Sequence, residues 1–113
     1  VIVRVTAHAV LRARARRHFA LLAGLEVERL IGLEVREAIM AGRVSREKPA
    51  WTKLVRRSEV MNGCLSSKPV QCREGTQFVW NHDETLGWIV KREGPVTVVL
   101  TSLHRVRSET LAA

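Results

Sequence analysis

Residues 77–103 read QFVWNHDETLGWIVKREGPVTVVLTSL, and this stretch decides the fold. Gln77 to Trp80, Leu86 to Lys91 and Val96 to Leu103 are dominated by β-branched, aromatic and other apolar side chains, which suit a pleated and half-buried surface. Asn81-His82-Asp83-Glu84 and Arg92-Glu93-Gly94-Pro95 separate them, and asparagine, aspartate, glycine and proline supply turn conformations. A β-meander of three antiparallel strands is predicted. Val96 to Leu103 is apolar on both faces except at its threonines and serine, the mark of a central strand rather than an edge. Strict alternation along it puts Ser102 and His104 on one face with Val96, Val98 and Leu100, and Thr101 and Arg105 on the other.

Before the meander the pattern changes period. Val1 to Val5 is a short β-branched strand, and Thr6 is placed to cap the helix that follows it. Ala7 to Ala23 is rich in alanine, leucine and arginine, all good helix formers, and Gly24 is a plausible stop. Leu25 to Ala41 carries Leu30, Ile31, Val35, Ala38 and Ile39 at helical spacings and ends at Gly42. Gly32, inside it, works against an unbroken helix. Residues 43–76 are the least regular part, punctuated by Pro49, Gly63, Pro69 and Gly75, with Val55 to Met61 as a candidate fourth strand. The sequence has no internal repeat and no low-complexity tract. The expectation is a single α+β domain spanning residues 1–113, with an N-terminal strand and two helices packed on one face of a three- to four-stranded antiparallel sheet.

The chain has 19 Lys and Arg against 11 Asp and Glu, a formal net charge of +8. Most of the excess is arginine, so the charge persists at any physiological pH. Such a chain attracts polyanions, with RNA as the first expectation, although a basic composition alone also serves solubility. No run reaches the length of a membrane span, and the opening residues lack the three regions of a signal peptide, so no membrane partner is expected. The chain starts at Val1 without a methionine, which fits either processing or excision from something longer. Cys64 and Cys72 are spaced for a small disulfide loop or for two thiols, and nothing around them is a metal pattern. There is no glycine-rich phosphate loop, no zinc spacing and no carboxylate cluster. No cofactor or metal is expected, and metal-dependent nuclease chemistry is disfavoured.

The first helix holds the candidate chemistry. At about 100° per residue, His8, Arg12, Ala15 and Phe19 fall in one sector, with Leu11 and Leu22 on one flank and Arg16 on the other. His8 is thus expected where a buried stripe meets an arginine edge, a position from which imidazole can move a proton and guanidinium can hold phosphate charge. The bland alternative is that His8 only pads the helix start. Thr101 and Ser102 either mark the strand leaving the core or offer a hydroxyl to a phosphate. Trp51, Trp80 and Trp88 read as core or core-edge residues, with Trp51, in the irregular segment, also a candidate for stacking on a base.

Val5-Thr6-Ala7-His8-Ala9, followed by Arg12 and Arg16, resembles the opening of small bacterial and phage toxin-like proteins. These are metal-independent ribonucleases of the class that includes barnase, the colicin ribonucleases and RelE. The order of the remainder is similar, through Ala38 to Val44, Gln77 to Trp80 and Val98 to Leu103. The resemblance implies that His8 and Arg12 contribute to an active site completed by Thr101 or Ser102, with Arg16 or Lys91 on phosphates. It implies a ribonuclease toxin that cleaves RNA by attack of the substrate's own 2′-hydroxyl. The chain has no tyrosine, so any scheme using one is excluded. The alternative is a non-catalytic nucleic-acid-binding or phage-encoded accessory domain. An acidic immunity or antitoxin protein is the expected partner, since complementary charge gives fast capture. The expected site of action is the cytoplasm, with delivery from another cell as part of a larger secreted protein as one route to it.

Overall fold

The structure is a computed structural model, described over residues 1–15, 24–49 and 70–104. The elements run β1 (Ile2–Val5), α1 (Ala7–Ala15), α2 (Gly24–Met40), β2 (Val44–Ser45), β3 (Glu47–Lys48), β4 (Val70–Gln71), β5 (Thr76–Trp80), β6 (Leu86–Glu93) and β7 (Val96–His104). Five strands form one sheet in the order β1-β7-β6-β5-β2, and β3 pairs with β4 in a separate two-stranded ribbon. The fold is α+β, with both helices against one face of the sheet. The meander β5-β6-β7 is antiparallel as its turns require. β7 is central: it lies between β6 and β1, and it carries buried side chains on both faces, Val99 on one and Val98 on the other.

The N-terminal strand adds a feature that periodicity does not carry. β1 joins the sheet parallel to β7, Ile2 opposite Val96 and Val5 opposite Val99, so the sheet is mixed rather than wholly antiparallel. A parallel pair needs a long crossover, usually helical, and the chain between β1 and β7 includes both helices. The expected strand at Val55 to Met61 lies outside the described residues. β2, at the far edge beside β5, is a strand not anticipated from the sequence.

Thr6 joins the first strand, the first helix and the central strand. Its backbone N–H donates to the Val99 carbonyl at 3.2 Å and its Oγ1 donates to the same oxygen at 2.8 Å. That Oγ1 also accepts from the N–H of Ala9 at 3.1 Å, satisfying a donor of the first turn that the helix itself cannot. At the other end of the helical layer, Gly42 takes φ +79°. Arg43 N–H returns to the Ala38 carbonyl and Gly42 N–H to that of Ile39, the paired bonds of a left-handed helix stop that glycine forms without a Cβ penalty.

The core lies between the helices and the sheet. Ala9 and Ala13 of α1 and Val27, Ile31, Val35 and Ala38 of α2 pack over Val79, Trp88, Val90 and Val99. Gly32 does not break α2. A Cβ placed there would meet only Val5 Cγ2, at 3.9 Å.

Candidate functional site

The stripe that α1 buries consists of two alanines, Ala9 and Ala13, both fully covered. Small side chains let the helix backbone lie close to the sheet, and they leave everything else on the helix near its surface. Leu11, expected on the buried side, points away and is 65% exposed. His8 and Arg12 are exposed side by side, one turn apart, so His8 is not held at a desolvated boundary. The leucine pattern misplaced the stripe because an alanine face sufficient for close packing leaves no strong hydrophobic signal in the sequence.

The last strand corrects a second expectation. Ile89 pairs with Thr101 but the next residue, Val90, pairs with Val99, so Leu100 is an extra residue on β7. Such a bulge shifts the alternation of side chains beyond it. Ser102 therefore shares the helix face with Trp88 and Val99 rather than with Val98. Its side chain is fully buried, and Oγ donates to the Ala9 carbonyl at 2.8 Å. This hydroxyl ties the first helix to the central strand and is not presented to a substrate. Thr101, paired with Ile89, faces the other side of the sheet and is half-buried.

Lys91 lies on that far side too, opposite Val98, and sits 3.8 Å from Glu93. The four expected catalytic residues are thus divided among the outer surface of α1, the interior beneath it and the opposite face of the sheet. No common surface carries His8, Arg12 and a free hydroxyl among the described residues. Arg16, Trp51, His18 and Cys64 lie outside those residues. Cys72 is a free thiol, its pKa raised by burial against the smaller opposing influence of Lys48.

Among the described residues, two surfaces group several arginines. Along α1, Arg12 and Arg14 are exposed and flank Leu11. The helix Ala7–Ala15 contains no acidic residue, and among the described residues neither arginine has an ion-pair partner. The second surface is a groove of about 590 Å³ between β1 and α2, where Arg4, Arg29 and Arg36 meet Val1, Val3 and Leu33. Sequence reading missed this one. Arg29, Leu33 and Arg36 recur at helical spacing and could have been seen as a stripe, but only the edge position of β1 brings Arg4 to it.

The remaining polar sites are structural. Arg43 Nε donates to the Trp80 carbonyl at 2.9 Å and Nη2 meets Glu37 at 3.0 Å. The turn after β5 is organised by the buried Asn81, whose Oδ1 accepts from the N–H groups of Thr85 and Leu86, and His82 there is exposed. Trp88 is buried in the core, whereas Trp80 is half-buried on the other face of the sheet, where it stacks on Phe78 with ring centroids 5.8 Å apart. Among the described residues no group of three or more metal-ligating side chains exists, and no helix is long and apolar enough to cross a membrane.

Comparison with known protein families, with characterised proteins and with solved structures finds no match for this chain.

Proposed function

We propose that this chain is an RNA-binding domain that holds phosphates on the outer surface of α1 and does not depend on cleaving the strand it binds. One observation carries this reading. Helix Ala7–Ala15 exposes Arg12 and Arg14, contains no acid, and leaves both guanidinium groups without an ion-pair partner among the described residues. A guanidinium with no carboxylate beside it keeps its full attraction for phosphate oxygens, which it meets with a planar fork of donors. Two such groups on either side of Leu11 can grip successive phosphates of a single strand while the apolar side chain lies against a base. The formal net charge of +8 adds long-range attraction and raises the encounter rate.

Cleavage fits this geometry less well. A 2′-hydroxyl mechanism needs proton-transfer groups converging on one phosphate. His8 is beside Arg12, but Ser102 is committed to the Ala9 carbonyl and Thr101 belongs to the other side of the sheet. Binding is tested by titrating a labelled single-stranded RNA into the full chain and into the Arg12→Glu/Arg14→Glu variant. Binding by the parent and loss of at least tenfold in the variant are expected. Equal binding by the two would remove α1 as the interface.

A further inference from the structure

We infer that the free edge of β1 and the adjoining groove receive an extended acidic peptide segment of a partner protein, added to the sheet as a further strand. This goes beyond the RNA reading and uses different residues.

β1 is an edge strand, since β7 is its only neighbour among the described strands. Its pairing fixes which backbone groups are spoken for. Val5 lies opposite Val99, and the Val99 carbonyl accepts from Thr6 N–H. In a parallel ladder that pattern directs Ile2, Arg4 and Thr6 toward β7, so the N–H and C=O groups of Val3 and Val5 point outward. No hydrogen bond among the described residues uses them. Exposed edges of this kind are templates for strand addition, and natural proteins blunt them with charge, proline or cover. Here proline is absent, and the only charge on the strand is Arg4.

The surroundings select the occupant. An added strand would place alternate side chains on the two faces of the sheet. On the helix side it meets Arg29, Arg36 and the exposed Leu33. On the far side it meets Arg4 and Ile2, which is 58% exposed. On the helix side Arg29 and Arg36 face the single carboxylate of Glu28, and with Arg4 on the far side they call for acids, while Leu33, Val1 and Ile2 call for apolar residues between them. Arg4 is also 3.6 Å from Glu93, but both side chains are at least half exposed. Such a surface pair is weak and easily exchanged. An acidic strand of alternating character therefore fits better than a polynucleotide, which has no backbone donors and acceptors at strand spacing.

The test uses a capped, fluorescent peptide of about six residues alternating glutamate and valine, matching the roughly 20 Å of β1 and its flanks. It is titrated into the full chain by anisotropy, and amide shifts of Val3 and Val5 are followed by NMR. Binding is expected to perturb those amides. It should weaken at least tenfold when alternate peptide nitrogens are methylated, when lysine replaces glutamate, or in an Arg29→Glu/Arg36→Glu variant that melts like the parent. The Arg12→Glu/Arg14→Glu variant should bind the peptide as the parent does, whether or not the parent binds RNA. No binding, equal affinity for the methylated peptide, insensitivity to groove charge reversal, or loss of binding in the α1 variant would each overturn the proposal.

Discussion

Ser102 looks from its sequence like a residue emerging from the core and is instead a fully buried hydroxyl. Its bond to the Ala9 carbonyl joins elements that are distant in the chain, and a hydrogen bond of this kind contributes about 1 kcal/mol net. Ser102→Ala should therefore lower stability by about 1–2 kcal/mol in denaturant unfolding while RNA affinity stays as in the parent. A variant of parental stability with lost RNA binding would return Ser102 to the interface. At Asp83 the effect is one of protonation. The side-chain hydrogen bond from Thr85, first among the causes, holds its carboxyl below the usual range. A folded-state pKa below the unfolded one adds stability that is present above the unfolded value and is lost as pH falls through the folded one. Thr85→Val should raise the Asp83 pKa toward its ordinary value in a carboxyl NMR titration. An unchanged titration would contradict the assignment. Neither role was legible beforehand. Asn81 and Asp83 announce a turn, but which side chain satisfies which backbone group depends on the geometry of the closed hairpin.

At the scale of elements the meander, the helix cap and the helix stop were all readable, because each rests on local chemistry: alternating apolar runs, Thr6 before an alanine-rich helix, and Gly42 after the last apolar turn. What was hidden rests on pairing between distant segments. The parallel partnership of β1 with β7 and the extra residue at Leu100 depend on register, which local periodicity does not specify. The bulge then decides the fate of Thr101 and Ser102, so an error of one residue in alternation moved two candidate site residues to the wrong faces. Gly32 is the opposite case. It looked like a breaker, yet α2 continues through it, and the space beside it admits a methyl group in ordinary contact with Val5. Gly32→Ala should raise stability by roughly 0.5–1 kcal/mol, read as an increase in melting temperature. Gly42→Ala should cost about 1–2 kcal/mol because of its positive φ. If both substitutions destabilise alike, the packing described between α2 and β1 is wrong.

At the scale of the whole molecule, two surfaces group arginines among the described residues: the outer face of α1 and the groove between α2 and the edge of β1. Net charge raises the expectation of a polyanion but says nothing of this grouping, which arises because the helices cover one face of the sheet while β1 remains at its edge. Binding through a few guanidinium groups should be strongly sensitive to salt, since each phosphate contact releases counterions. The most direct measurement of the RNA-binding reading follows a labelled single-stranded RNA with the full chain in EDTA, at 50 and 200 mM salt, with the recovered RNA run on a denaturing gel. Two arginine–phosphate contacts on a single strand would weaken binding roughly sevenfold between the two salt concentrations. The predicted result is salt-sensitive binding, lost in Arg12→Glu/Arg14→Glu, with the RNA recovered intact. RNA that does not bind, or that returns cleaved by the parent and uncut by His8→Ala, would contradict it.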